Sequence, residues 1–332
     1  AGGIPRVTYR HVRLPFGRPG EYLMNFQQLR IVRETVRRNF NLTDVANALY
    51  TSQSGVSKHI KDMEDELGVE LFVRKGKRLL GLTEPGKELA VIVERMLIDA
   101  NNIRNVAEQF SKRDQGNLVI ATTHTQARYA LPPIVGAFRQ AFPRVHLVLL
   151  QGSPEEITAL LLSGEADIGI ATEALTAVPD LVTFPMYAWQ HAVIVPKAHP
   201  LAAKPSISLE DLAEHPVITY HEGFTGRTRI NEAFSAAGLT PDVVLSALDA
   251  DVIKTYVELG LGVGIVASVA FDAKRDAGLK LLEVDAFGNN VTRLAVRRGH
   301  YLRDFAYDFI TRCAPSINAA QVREATAAHR EE

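Results

Sequence analysis

The sequence TSQSGVSKHIK, at residues 51–61, decides the fold of the N-terminal part of this chain. It follows residues 42–50, in which apolar side chains recur at helical spacing. This pattern predicts two short helices joined by a tight polar turn, with Gln, Ser, Lys and His side chains on one face of the second helix. Side chains of these types reach phosphates and base edges, so the stretch predicts a DNA-binding helix-turn-helix.

Composition limits the class of protein but does not indicate DNA binding. The 332 residues suffice for about two domains, and their net charge of −1 is not that of a generally basic DNA-binding chain. The single cysteine, Cys313, excludes an intramolecular disulfide and fits a reducing compartment, for which we expect the cytoplasm. No run approaches the ~18 apolar residues of a membrane span. Residues 1–23 lack the apolar core of a signal peptide, and we expect a disordered or cloning-derived extension there.

A small basic hairpin is predicted after the second helix. Residues 71–73 and 78–82 bracket the tip Lys75-Gly76-Lys77, which completes a winged helix-turn-helix domain over residues 24–82. Ser52 is placed to cap the second helix, Gln53 and Ser54 to meet base edges, and the lysines to meet phosphates, although any single lysine could equally be a solvated surface charge. The predicted DNA contacts are Thr51, Ser52, Gln53, Ser54, Ser57, Lys58, Lys61, Arg74, Lys75 and Lys77.

A long linker helix is predicted over residues 83–112. Its apolar residues recur at alternating steps of four and three, which is the spacing of a coiled-coil seam. A helix packed on its own domain is the alternative, but the seam is narrow and the other positions are polar. We therefore expect this helix to pair with a second copy of the chain, so that a dimer binds two half-sites. The seam consists of Leu89, Val93, Met96, Ala100, Ile103, Ala107 and Phe110.

Strands and helices alternate along the remaining two-thirds of the chain. This order predicts an α/β fold with parallel sheets, in which two sheets enclose a cleft at the carboxyl ends of their strands. At that position residues 122–126, TTHTQ, directly follow an apolar strand and open a helix. N-capping would need only one threonine, so this row of hydroxyl, amide and backbone N–H donors indicates an anion site.

These motifs resemble the LysR-type transcriptional regulators, and within them the CysB and Cbl subgroup of sulfur-assimilation and cysteine-biosynthesis regulators. Residues 24–83 resemble the family's winged helix-turn-helix, and residues 116–315 resemble its two-lobed effector domain, which is similar to periplasmic binding proteins. The family motifs are Ala46-x-x-Leu49-x-x-Ser52-Gln53-Ser54-x-x-Ser57, Leu67-Gly68-x-x-Leu71-Phe72-x-Arg74 and Leu82-Thr83-x-x-Gly86. The subgroup stretches are residues 120–132, 151–154, 170–175, 223–227 and 249–257.

The resemblance implies an organisation and a ligand. Lobe I would comprise about residues 116–185 and 286–315, lobe II about 186–285, and residues 316–332 a tail. Acetylserine, sulfate or thiosulfate would bind between the lobes and switch the activity of a dimer or tetramer on double-stranded DNA, with RNA polymerase as a further candidate partner. The implied effector-binding residues are Thr123, Thr125, Gln126, Thr172, Trp189 and Thr225.

Enzyme and metal chemistry find no support in the sequence, and we expect no catalytic residue, metal or cofactor. The ten histidines lack metal-ligand spacing, and the glycine-rich residues 260–264 follow a helix and precede a strand, the reverse of a dinucleotide-binding loop. Two alternatives stay open. One is a LysR-type regulator of sulfonate utilisation or another pathway. The other is a small-molecule binding protein or enzyme without DNA function, which leaves the N-terminal motif unexplained.

Overall fold

The computed structural model describes residues 24–76 and 78–327, and it divides into two compact units after Ala100. The predicted extension, Lys77 of the predicted DNA contacts and the end of the predicted tail lie outside the described residues. The first unit contains α1 (Phe26–Arg37), α2 (Leu42–Ala48), α3 (Gln53–Leu67), β1 (Phe72–Lys75), β2 (Arg78–Leu82) and the start of α4 (Glu84–Ser111).

Local signals start and stop the helices of the first unit. Asn25 and Gln28 form a reciprocal capping box at the start of α1. The hydroxyl of Ser52 accepts a hydrogen bond from the backbone N–H of Gly55 at 3.1 Å and so caps α3. Gly68 ends α3 at a φ of 69°, a conformation that glycine adopts without steric cost. The apolar faces of the three helices, the hairpin and the start of α4 form one core.

A buried carboxylate fixes the hairpin against α3. One oxygen of Glu64 accepts hydrogen bonds from the backbone N–H groups of Leu71 and Phe72, at 2.9 and 3.2 Å. Its other oxygen pairs with Arg74 at 2.6 Å. Because both oxygens are used, the hairpin that follows α3 has a defined position beside it.

The second unit is an α/β domain built on one mixed sheet. Its strands are β3 (Gly116–Thr122), β4 (Val145–Gln151), β5 (Ile168–Ala171), β6 (Leu181–Pro196), β7 (Val217–Tyr220), β8 (Val243–Ala247), β9 (Val263–Ala267), β10 (Leu279–Glu283) and β11 (Asn289–Arg297). Its helices are the end of α4, α5 (Leu131–Ala141), α6 (Pro154–Leu162), α7 (Leu209–Ala213), α8 (Arg227–Ala236), α9 (Ala250–Glu258), α10 (Asp304–Cys313) and α11 (Ala319–Thr326).

The order of the strands shows that one sheet extends through two lobes. The order is β4-β3-β5-β11-β6-β9-β7-β8, with β10 also paired to β6. We call the part built on β3, β4, β5 and β11 lobe I, and the part built on β7 to β10 lobe II. The first half of β6 pairs with β11, and its second half pairs with β9 and β10. This strand therefore runs from one lobe into the other.

Each lobe has its own apolar core. Leu118, Ile120 and Phe138 belong to a core that packs α5 and α10 against the sheet of lobe I. Val217, Ile265 and Phe234 belong to the core of lobe II. The predicted fold class, a winged helix-turn-helix followed by a linker helix and an α/β effector domain, is confirmed.

Three details depart from the prediction. The two predicted parallel sheets are joined into one mixed sheet, because β6, β10 and β11 are antiparallel to their neighbours and parallel pairing holds only within the β3 and β7 groups. The predicted strand at residues 192–195 is the end of the 16-residue β6. Buried and exposed residues do not alternate regularly along β6, because the strand passes from one lobe into the other. Its first half therefore lacks the alternating hydrophobic pattern that predicts a strand. Strand β10 and helix α11 were not predicted from the sequence.

Within the described part of the chain, every helix is too short or too polar to cross a lipid bilayer.

Candidate DNA interface and effector site

Helix α3 separates a buried apolar face from an exposed polar one. Val56, Ile60 and Met63 are buried in the core of the first unit. On the other face, the predicted contacts Ser52, Gln53, Ser54, Lys58 and Lys61 are exposed, and Thr51 and Ser57 are half-buried. An amphipathic helix with its polar first turn in the open can enter a major groove without unfolding any part of the core.

The hairpin adds cationic groups of two kinds. Lys75 and Arg78 are exposed at its strands. Arg74 differs, because one of its terminal nitrogens is held by Glu64. Arg74 thus has a structural role in positioning the hairpin, and only its remaining N–H donors are available to a phosphate.

The predicted seam on α4 has two environments. Val93 is 2% exposed and belongs to the core of the first unit, so the alternative of a helix packed on its own domain holds at this end. Further along, Ile103 and Phe110 are 71% and 85% exposed. This end of the predicted seam therefore exposes large apolar side chains.

The end of α4 is fixed to the effector domain by hydrogen bonds. The side chain of Asn102 donates to the carbonyl of Gly299 at 2.7 Å and accepts from the backbone N–H of Tyr301 at 2.8 Å. The buried Arg303 pairs with Glu108 at 3.1 Å. These contacts were not predicted, because they join residues almost 200 positions apart.

The row of polar residues after β3 lies inside the second unit, where we expected an anion site. Thr123, Thr125 and Gln126 are all buried, and a π-helical turn, Gln126–Ala130, begins at this row. Such turns are rare and occur frequently at functional sites. Buried hydroxyl and amide groups need partners, and several of theirs come from distant strands and from lobe II.

Thr125 and Thr225 meet across the two lobes, with their hydroxyl oxygens 3.5 Å apart. Thr225 has a φ of 40°, a left-handed backbone conformation that costs energy in a β-branched residue. It lies in a turn between Gly223 and Gly226, at the start of α8. Strain of this kind is retained where the surrounding structure requires it, which is common at ligand sites.

Trp189 and Gln126 share one partner, the hydroxyl of Thr292. The indole N–H of Trp189 donates to it at 3.0 Å and the side-chain amide of Gln126 at 3.1 Å. The hydroxyl of Tyr187 donates to the carbonyl oxygen of the same amide at 2.6 Å, and burial raises the pKa of this phenol. The network fixes the orientation of Gln126. Tyr187 and Thr292 were not predicted from the sequence, because they become neighbours only through the pairing of β6 with β11.

A cavity of about 430 Å³ opens between the lobes next to these residues. Of the six predicted effector residues, Thr172 lines it, and Thr225 is flanked by two residues that do. The lining also includes Asn290, another residue missed in the sequence. Its residues are Pro154, Glu155, Thr172, Gly223, Phe224, Gly226, Arg227, Thr228, Arg229, Glu232 and Asn290.

Asp251 on α9 joins the lobes at a second place. It accepts a hydrogen bond from the hydroxyl of Tyr129 at 2.8 Å and pairs with Arg128 at 3.1 Å and Lys254 at 3.3 Å. Burial raises the pKa of Asp251, but the hydrogen bonds from Tyr129 and Arg128 outweigh it and hold the pKa at about 2. His124, also on lobe I, lies 3.6 Å away.

The same cluster has the composition of a weak cation site, because ligand atoms of His124, Asp249 and Asp251 lie within 4.8 Å of one another. Arg128 and Lys254 already neutralise Asp251, and a metal ion would have to displace them. We therefore assign to this cluster the structural role of holding the two lobes together.

Known proteins share both units. Residues 26–87 match the family described as "Bacterial regulatory helix-turn-helix protein, lysR family", and residues 111–316 match "LysR substrate binding domain". The chain is 59% identical to the HTH-type transcriptional regulator SsuR of Burkholderia cenocepacia, over 90% of this chain and 97% of that protein. It is 52% identical to the transcriptional regulator CysB of the same organism, over 91% and 97%. These relatives are transcriptional regulators and not enzymes.

A solved structure resembles the effector domain. The cofactor-binding domain of the Cbl transcriptional regulator matches with a TM-score of 0.62 and 46% identity, and the match covers 64% of this chain and 93% of that one.

Proposed function

This chain belongs to the LysR family of transcriptional regulators, and from that premise we propose that it regulates genes of sulfur assimilation and cysteine biosynthesis under the control of a small anionic effector. The observation that carries the proposal is the approach of Thr125 and Thr225 between the lobes, beside a cavity and a fixed Trp189. Acetylserine, sulfate or thiosulfate would bind there.

The donor groups at this place support an anion. The hydroxyls of Thr123, Thr125, Thr172 and Thr225 lie on both lobes, and α8 begins at Gly226 without a capping side chain. The backbone N–H groups of Arg227 and Arg229 already donate to the carbonyls of Phe224 and Gly226, so this helix N-terminus supports an anion mainly through its positive partial charge. A ligand that bridges the lobes can shift their arrangement only by binding one arrangement more tightly than another.

Double-stranded DNA would contact the exposed face of α3 and the hairpin. In this proposal Gln53 and Ser54 meet base edges, and Ser57, Lys58, Lys61 and Lys75 meet bases or phosphates. Ser52 caps the helix that carries them. RNA polymerase is a further candidate partner.

Oligomers would form through the exposed end of α4. Met96, Ile103 and Phe110 lie on one side of this helix at coiled-coil spacing and are exposed. Two copies would bury these side chains and bring two recognition helices to two half-sites. A tetramer would place four recognition helices on the DNA. Because Asn102 and Arg303 tie α4 to the effector domain, a change between the lobes would alter the geometry of the assembly.

The experiment that tests this function is a titration of the fluorescence of Trp189, the only tryptophan in the chain. We expect acetylserine, sulfate or adenylyl sulfate to change the emission in a saturable manner. A Thr125→Val variant, which loses one hydroxyl at constant shape, should bind about tenfold more weakly. The absence of any response to all three compounds would contradict the sulfur assignment and leave DNA binding untouched.

Sulfonate utilisation is a second candidate, favoured by the 59% identity to SsuR. Transcript measurements in a strain that lacks this gene distinguish the two. Loss of induction only during growth on an alkanesulfonate supports the second candidate, whereas loss of cysteine-biosynthesis transcripts supports the first.

A further inference from the structure

A chain of three hydrogen-bonding groups fixes the orientation of Asn290 in the cavity wall. Nε2 of His191 lies 2.9 Å from the backbone carbonyl oxygen of Thr225. A carbonyl oxygen can only accept, so Nε2 carries the proton. In the tautomer that has this proton on Nε2, Nδ1 is an acceptor, and it lies 3.4 Å from the side-chain amide of Asn290. The atom of Asn290 that faces His191 must therefore be its NH2 nitrogen.

The oxygen of the same amide is left without a donor. Asn290 is fully buried, and among the described residues none donates a hydrogen bond to its Oδ1. This oxygen faces Gly226, where a β-carbon would come within 2.8 Å of it. A buried acceptor is normally paired, and one at a ligand cavity is available to a donor on the ligand.

The charges around the cavity agree with a ligand that carries both kinds of group. Arg227 and Arg229 line it together with Glu155 and Glu232. A simple inorganic anion would be attracted by Arg227 and Arg229 only. A molecule with an anionic end and a hydroxyl, amide or ammonium donor would interact with both, and the uncapped start of α8 lies beside Asn290.

We propose that Asn290 is a specificity-determining residue that selects effectors with a hydrogen-bond donor next to their anionic group. Sulfate and thiosulfate, which only accept hydrogen bonds at neutral pH, are then disfavoured. This inference rests on the proposed function, because it narrows the ligand class of the same site. Selection of this kind can be strong, since a site built to pair with a donor rejects the analogue that lacks one.

Isethionate and ethanesulfonate test the inference by calorimetry, because they have the same charge and differ by one hydroxyl group. We expect the wild-type protein to bind isethionate about tenfold or more tightly than ethanesulfonate. Asn290→Leu, which is close in volume, should reduce this ratio to about one. The matched control is Asn289→Leu, since Asn289 is exposed and pairs with Gln190 instead.

The ratio of isethionate affinity to ethanesulfonate affinity in the wild-type protein tests the role of Asn290 even where the Asn290→Leu variant fails to fold. Equal binding of the two sulfonates, or sulfate binding as tight as that of isethionate, would overturn the role of Asn290 and leave an anion-binding regulator in place. An unchanged ratio in a folded Asn290→Leu variant would overturn it as well. If neither sulfonate, nor sulfate, nor acetylserine binds, the proposed effector class itself fails.

Discussion

The hydroxyl of Tyr129 donates a 2.8 Å hydrogen bond to Asp251 and so ties the turn after β3 in lobe I to helix α9 in lobe II. Burial raises the pKa of Tyr129, so the phenol remains a donor at neutral pH. Arg128 reaches the same carboxylate from the same turn. The contacts that join the two lobes thus include a neutral one between Thr125 and Thr225 and a charged one at Asp251.

Replacing the charged contact should loosen the lobes. Asp251→Asn keeps the shape of the side chain but removes the counter-charge of Arg128, while Lys254 keeps its pair with Asp276 at 3.1 Å. Because Asp251 is partly exposed and solvent screens the pairs, we expect a loss of about 1 kcal/mol in the free energy of unfolding, or a few degrees in Tm. Thermal unfolding measures it, with the exposed Glu283→Gln as control. Equal Tm values for wild type and Asp251→Asn would show that the contact is not stabilising.

The same carboxylate predicts a pH dependence. The pKa of Asp251 is lowered from 3.8 to about 2, so its stabilising effect is complete above pH 3.8 and is lost as the pH falls towards 2. The difference in unfolding free energy between wild type and Asp251→Asn should therefore be smaller at pH 3 than at pH 6. Urea unfolding of both proteins at the two pH values measures this, and a difference that grows at pH 3 would contradict the assigned interactions.

Lysines on α3 should contribute to DNA binding through phosphates. Lys58→Ala should weaken binding to all sequences alike and lower the slope of log affinity against log salt concentration by about one. Gln53→Ala should instead relax the choice of base at one position, by about 1–3 kcal/mol. Gel-shift titrations at several salt concentrations separate the two effects. Lys197→Ala, an exposed lysine of the second unit, serves as control and should change neither quantity.

The exposed apolar side chains of α4 should hold two copies together. Ile103→Asp combined with Phe110→Asp would place charges in the seam, and we expect monomers by light scattering where the wild type forms dimers or tetramers. Affinity for a two-half-site operator should fall at least about a hundredfold, since the two recognition helices are no longer linked. Arg104→Ala on the same helix is the control. A variant that keeps the wild-type mass would place the interface elsewhere.

The sequence specified the DNA-binding end well because its signals are local. The cap at Ser52, the glycine at 68 and the apolar spacing of α3 each act within one or two turns of helix. The row after β3 was predicted for a similar reason, since polar residues directly after a buried strand stand at the edge of a sheet.

The wall of the effector site depends on long-range pairing and could not be foreseen. Asn290 stands opposite Trp189 only through the antiparallel register of β11 and β6, which join residues about a hundred positions apart. Likewise, Thr292 becomes the shared partner of Gln126 and Trp189 only once β6, β11 and the turn after β3 are assembled. A pattern of spacing within one segment carries no such information.

The most direct test of the account is DNA footprinting and bending of the full-length protein on its operator, with and without saturating acetylserine. Fluorescence of Trp189 should monitor saturation in the same samples. We predict that the protected region changes in length or the bend angle changes as the fluorescence saturates, because the effector alters the spacing of recognition helices. Saturated fluorescence with an unchanged footprint and an unchanged bend would contradict the claim that the ligand between the lobes controls the DNA complex.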